Sequence, residues 1–204
     1  IGVTVGANTI SEVSRDFGLG AKTGIDFPIE GVGLIPSAAE KAKRDPSVKW
    51  NSGDVAQTSI GQGLLLVTPL QMALVAAALG TGKLPTPHFT KDYVFNTKDV
   101  GVSLKNRKIV LEGMRKVVAG GTGQLAGKNV EANVIGKTGT AEVGSRANRR
   151  KNTWFIGYVT PTEKSIIKEP LALALVVENG ESGGSTSAPK VGEILRAFYG
   201  ESEK

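Results

Sequence analysis

Lys137-Thr138-Gly139-Thr140 is the stretch on which the reading of this 204-residue chain turns. Val134 and Ile135 precede it, and this β-branched approach predicts a strand running into the motif. Side chains alternate along a strand, so Thr138 and Thr140 share a face and can offer two hydroxyls to one carboxylate. Lys137 and Gly139 take the other face unless the strand twists at the glycine. Gly136 and Gly139 carry no side chain, so a ligand or a second backbone can approach closely. Lys137 adds positive charge beside any bound anion. The pattern predicts a cradle for a peptide that ends in a carboxylate and lies along the strand. Four residues also recur by chance, as a strand end with a solvated lysine. Their surroundings separate the two readings.

Downstream, Arg146, Arg149, Arg150 and Lys151 read as a basic loop, solvated or placed to attract an anionic precursor. Thr153 to Val159 is β-branched and aromatic, hence a second strand. Leu171 to Val177 is continuously apolar and predicts a strand buried on both faces. Gly180, Gly183 and Gly184 predict a turn. Ser187 to Tyr199 predicts a helix capped by Ser187, with Val191, Ile194, Leu195 and Phe198 inward. Upstream, a helix over about 106–119 should turn Ile109, Val110, Met114, Val117 and Val118 inward. Thr68, Pro69 and Gln71 form a capping box that opens another helix. Leu70, Ala73, Leu74, Ala77 and Ala78 make its apolar face, and Gly80 should end it. Residues 24–57 show no periodicity and read as a long irregular connection. Ile10, Val13 and Phe17 recur at helical spacing before Gly18 and Gly20. Residues 1–130 are thus expected to be mostly helical and loop-rich, and 131–204 to hold three strands and a C-terminal helix.

Composition sets limits. Lys plus Arg number 25 against 19 acids, for a net charge of +6. That balance suits acidic polymers or an anionic membrane surface as well as nucleic acid, and by itself selects none. The absence of cysteine excludes disulfides, thiolate metal sites and a Cys nucleophile. The single histidine, His88, reads as a loop side chain, and one histidine argues against a zinc site. No apolar run of about 18 residues predicts a membrane span. The opening Ile1-Gly2-Val3 reads as the start of a trimmed or processed piece. No cofactor motif occurs.

The chain resembles class B penicillin-binding proteins, within them the elongation-type penicillin-binding protein 2 branch. Lys-Thr-Gly is a signature of penicillin-binding proteins and class A β-lactamases. Phe17-Gly18-Leu19-Gly20, Thr23-Gly24-Ile25-Asp26 and Gly33-Leu34-Ile35-Pro36 are similar to the family segment after its second active-site motif. Trp50, Gly53-Asp54, Ser59-Ile60-Gly61-Gln62-Gly63 and Thr68-Pro69-Leu70-Gln71 follow in family order. Thr153 to Tyr158 is similar to the strand after Lys-Thr-Gly. Gly183-Gly184-Ser185 and Ala188-Pro189 are similar to the start of the last helix.

The resemblance implies an α+β fold of the penicillin-binding and serine β-lactamase kind, an antiparallel sheet with a helical subdomain. Here it would be incomplete, with the upstream strands and nucleophile helix missing. It implies a peptidoglycan D,D-transpeptidase that works through a serine acyl-enzyme and binds penicillin, without cofactor or metal. The partners implied are the stem peptide, β-lactams and the missing N-terminal part, not nucleic acid. An upstream membrane anchor and a place on the outer face of the bacterial cytoplasmic membrane follow from the resemblance alone. Lys137 would contact the proton-shuttling serine, Thr138 and Thr140 would hold the terminal carboxylate, and the Thr140 N–H would be one oxyanion donor, with Gly139 leaving room for substrate.

The family nucleophile, Ser-x-x-Lys, and the second motif, Ser-x-Asn, are expected before Ile1. Ser165-x-x-Lys168 and Ser187-x-x-Lys190 match the first by spacing but follow Lys-Thr-Gly, the wrong order. Ser52-Gly53-Asp54 imitates the second weakly. These 204 residues alone are therefore expected to be inactive and to expose apolar surface or associate. A serine β-lactamase, a D,D-carboxypeptidase, or a non-catalytic β-lactam sensor or structural module are the alternatives.

Overall fold

The computed structural model describes residues 1–90, 96–145 and 148–202. Two short helices, α1 (Gly2–Val5) and α2 (Ala7–Asp16), open it. Then come α3 (Ala38–Arg44), α4 (Ser52–Ser59) and α5 (Pro69–Thr81). A small ribbon of β1 (Lys83–Pro85) and β2 (Thr97–Asp99) leads to α6 (Leu104–Gly120) and α7 (Gln124–Gly127). The main sheet is β3 (Ala132–Ser145), β4 (Asn148–Pro161) and β5 (Leu171–Glu178), antiparallel in that order. A π-helical turn at Gly183–Ser187 runs into α8 (Ala188–Tyr199).

The sheet is covered on both faces. Along β4, Thr153, Phe155, Gly157 and Val159 are buried in strict alternation with half-buried Trp154, Ile156 and Tyr158. Phe155 and Val159 join Val134, Val118, Ala126, Val191, Leu195 and Tyr199 in one core, which fixes α6, α7 and α8 on that face. On the other face α5 lies across β5 and β4. A Cβ at Gly80 would come within 2.5 Å of the Tyr158 ring. Glycine there lets the helix backbone rest on the aromatic. Neither outer edge, of β3 or of β5, has a strand partner among the described residues.

Several expectations change. Residues 24–57 are not wholly irregular: Ser37 caps α3, and Asn51 with Asp54 forms a capping box on α4. The Thr68–Gln71 capping box is present, but α5 continues past Gly80 to a left-handed cap at Gly82. Its buried residues are Gln71, Leu74, Ala76 and Ala78 rather than the predicted stripe, because the helix is apolar on every side. In α6 only Met114 and Val118 are buried, while Ile109 and Val110 are exposed. The first half of α6 thus carries none of the core. In α8, Val191 and Leu195 point inward as predicted, but Ile194 and Phe198 are exposed and Tyr199 takes the inward place. β5 is half-buried, not buried on both faces, because it is an edge strand.

Ser187 makes no cap. Its hydroxyl donates to Thr153 Oγ1 at 2.8 Å, and Ser182 caps the π-turn instead. The predicted basic loop is mostly strand: Arg149, Arg150 and Lys151 lie in β4, paired with Gly144, Val143 and Glu142. Arg146 lies outside the described residues.

No residue of α1, α2 or α3 is buried, and Ile1, Val3, Val5, Val13 and Ile60 are exposed. The expected exposed apolar surface is therefore present.

Candidate active site

Lys137 to Thr140 sits in the middle of β3, in register with Ile156, Phe155, Trp154 and Thr153 of β4. Thr138 and Thr140 share a face, as alternation requires. Thr138 is buried as a residue, and its hydroxyl, at the groove, is hydrogen-bonded to Thr122 Oγ1 at 2.5 Å. Thr140 is exposed, and its Oγ1 accepts the Gly183 N–H at 3.1 Å. The π-turn reaches this place because Gly183 lies flat on the strand. A Cβ there would be 2.6 Å from Gly139 O and 2.9 Å from both Gly139 N and Trp154 O. Only glycine allows that backbone-on-backbone approach. Beneath the turn, Ser187 and Thr153 bond side chain to side chain, which ties the start of α8 to β4.

The result is an open groove of about 620 Å³ bordered by Lys137, Thr138, Thr140, Thr122, Ser182 and Ser185. Its side-chain polar groups are five hydroxyls, the Gln124 amide and one ammonium. Such a lining suits a carboxylate, which accepts several hydrogen bonds and gains from a nearby cation.

Across β3 lies a second hollow of about 240 Å³, with an apolar wall of Leu19, Ile60, Leu65, Met72, Trp154 and Ile156. Gln62 enters it and donates from Nε2 to Thr140 O at 3.2 Å. Lys137 Nζ donates to Thr138 O at 2.6 Å. Both carbonyls therefore face the unpaired edge of β3.

The motif residues come together as the strand pattern predicted. Thr122, Gly183 and Gln62 were not identified as site residues from sequence. Gly120-Gly121-Thr122-Gly123, a glycine run between a helix and the motif strand, was the available signal for the first. The imitations separate from the groove. Ser165 is buried, accepts the Thr162 N–H and donates to Glu131 O, while Lys168 Nζ donates to Glu163 O. Ser187 is committed to Thr153. Ser52 opens α4. His88 bonds through Nδ1 to Thr90 O, in a loop. The Arg149 guanidinium pairs with Glu142 at 3.0 Å farther along the hairpin.

The chain is similar to known proteins over most of its length. The family model for the penicillin-binding protein transpeptidase domain matches residues 2–196. The chain is 31% identical to the peptidoglycan D,D-transpeptidase MrdA of Acinetobacter baumannii, over 90% of this chain and 30% of that protein. It is 30% identical to stage V sporulation protein D of Bacillus subtilis, over 96% of this chain and 31% of that protein. Among solved structures, penicillin-binding protein PBP2 of Helicobacter pylori superposes with a TM-score of 0.79 at 32% identity, covering 97% of this chain and 37% of that one. Pseudomonas aeruginosa PBP2 in complex with WCK 5153 gives 0.80 at 30% identity, covering 96% and 44%. The chain spans about a third of the length of the curated relatives it matches.

Proposed function

The chain belongs to the penicillin-binding protein transpeptidase domain family, and from that premise we propose that it forms the Lys-Thr-Gly wall of a peptidoglycan D,D-transpeptidase. One observation carries the reading. The two threonine hydroxyls of the motif, Thr138 and Thr140, border a hydroxyl-lined groove beside an unpaired strand edge, with Lys137 at its rim.

The serine nucleophile is supplied by sequence outside these 204 residues. Its oxygen attacks the carbonyl carbon of the D-Ala-D-Ala peptide bond. The C–N bond breaks, D-Ala leaves with a proton, and an ester to serine remains. An amine of a second stem peptide then attacks that ester, forms the cross-link and returns the proton to serine. Thr138 and Thr140 hold the terminal carboxylate of the donor peptide. The Thr140 N–H shares the outward direction of its carbonyl and serves as one oxyanion donor. A single such donor is worth about 10²–10³ in rate. Lys137 supplies positive charge next to the carboxylate and the proton-transfer groups. Penicillin enters as a carboxylate-bearing acylating mimic of the same peptide.

We place the whole protein on the outer face of the bacterial cytoplasmic membrane, anchored by a segment outside this chain. The wall-synthetic names of its relatives support that location. Among the described residues no helix is long and apolar enough to cross a membrane.

The test is fluorescent-penicillin labelling of the whole protein. Lys137→Ala should slow acylation by at least about tenfold, from loss of a charge-assisted contact and a nearby cation. The isolated 204 residues should gain no penicilloyl mass. Full labelling of the Lys137 variant at the unmodified rate would defeat the assignment.

A further inference from the structure

The two outward carbonyls of the motif are both occupied. Lys137 Nζ sits on Thr138 O, and Gln62 Nε2 sits on Thr140 O. In an antiparallel sheet the N–H and C=O of one residue point the same way, alternately toward the partner strand and away from it. Thr138 and Thr140 therefore present N–H and C=O together on the open edge. A peptide that adds to a sheet edge uses such pairs, donating its own N–H to the outward carbonyl. At Thr140 that carbonyl already holds the Gln62 amide. The two donors compete for one place.

Gln62 is built to yield it. It lies between Gly61 and Gly63, both with positive φ, at 77° and 75°. A Cβ at Gly61 would meet nothing within 4 Å, so the loop has open space beside it. The side chain has an apolar neighbourhood in Ile60, Leu65, Met72 and Trp154. Its bond to Thr140 O joins neutral groups, the weaker class of hydrogen bond.

We propose that Gln62 is a specificity-determining residue of the transpeptidase: it fills the Thr140 acceptor in the free enzyme and gives way only to ligands with an amide N–H to donate there. Ligands without that N–H leave the Gln62 bond in place. The inference rests on the β3 edge being the peptide-binding wall.

The whole enzyme tests it, with Gln62→Ala and the similarly sized, donor-free Gln62→Met. Acylation kinetics resolve the dissociation constant of the initial complex from the rate constant of the chemical step. Benzylpenicillin carries an acylamino N–H, and a hydroxyethyl carbapenem carries none. Removing the competing bond should tighten the initial benzylpenicillin complex about two- to tenfold in both variants. The carbapenem complex should not tighten, and the benzylpenicillin acylation rate constant should stay within about twofold, since no transition-state contact is lost. Equal shifts for both ligands, no shift, or weaker benzylpenicillin binding would overturn the role of Gln62. If the unmodified enzyme acylates neither ligand, the transpeptidase reading itself fails, which is a separate result.

Discussion

Gly183→Ala puts the closest contact of the site under strain. The added methyl would sit 2.6 Å from Gly139 O and 2.9 Å from Gly139 N and Trp154 O. All three atoms are backbone, so no side chain can swing aside. Ordinary carbon–oxygen contact needs another 0.5–1 Å or so, and the π-turn must lift off β3 by about that much. Overpacking of this kind costs about 1–3 kcal/mol. The lift also stretches the 3.1 Å bond from the Gly183 N–H to Thr140 Oγ1, a further net loss of about 0.5–1.5 kcal/mol. The sum is about 1.5–4.5 kcal/mol in urea unfolding of the transpeptidase domain. Thr140 loses its anchor, and misplacement near 1 Å in a reacting geometry can cost about 10²-fold. Penicillin acylation should fall by at least about tenfold. Gly113→Ala is the control, since a Cβ there meets nothing within 4 Å in the middle of α6. It should stabilise by about 0.5–1 kcal/mol through helix propensity and leave acylation alone. If Gly183→Ala unfolds at the same urea concentration and acylates at the same rate as the unmodified domain, the backbone contact between the turn and the motif is wrong.

Three other perturbations test separate links. Thr122→Ala removes a side-chain partner of the Thr138 hydroxyl and should weaken the initial penicillin complex about threefold to tenfold, with Thr122→Ser restoring it; titration of acylation rate against penicillin concentration measures both. Thr68→Ala removes the hydroxyl that accepts the Gln71 N–H at 3.1 Å, and should lower stability by about 1 kcal/mol in denaturant unfolding, with Thr68→Ser close to neutral. The Asp26 carboxyl is drawn down to about 2 by hydrogen bonds from the Thr90 side chain and the Phe89 N–H. A depressed folded pKa stabilises above the unfolded carboxylate range near 4, and that contribution disappears as pH falls through about 2. The protection factor of the Phe89 amide, its exchange rate relative to an unstructured amide at the same pH, should therefore fall as pH drops from about 4 to about 2, and Asp26→Asn should abolish that dependence.

What the sequence shows of this fold depends on how local each signal is. The Thr68–Gln71 capping box and the β-branched run at Thr153 to Val159 are written in adjacent residues, and both elements stand where they were expected. Helices α3 and α4 bury almost nothing, so hydrophobic periodicity is silent over them; Ser37 with Glu40 and Asn51 with Asp54 mark their starts by capping alone. In α6 and α8 a helical stripe is legible, but the partner that selects which apolar residues face inward is not. Ile109 and Ile194 satisfy the period and still face solvent, while Met114 and Val118 of one helix and Val191, Leu195 and Tyr199 of the other are buried.

The site divides along the same line. Lys137, Thr138 and Thr140 form a local motif whose face follows from strand alternation, so their placement could be derived before any tertiary contact was known. Gln62 reaches Thr140 across 78 positions, and Gly183 across 43. Neither distance leaves a local trace, yet these two residues bound the strand on opposite sides, one at its carbonyl and one at its hydroxyl. Thr140 is thus fixed by donors that belong to two separate segments, while its N–H remains on the open edge. Of the two bonds, the one from Gly183 stays when a ligand takes the place of Gln62, and it keeps the strand's donors aimed, the preorganisation that charge development in acyl transfer requires. The strand edge supplies direction, and Gly183, far from it in sequence, supplies the rigidity.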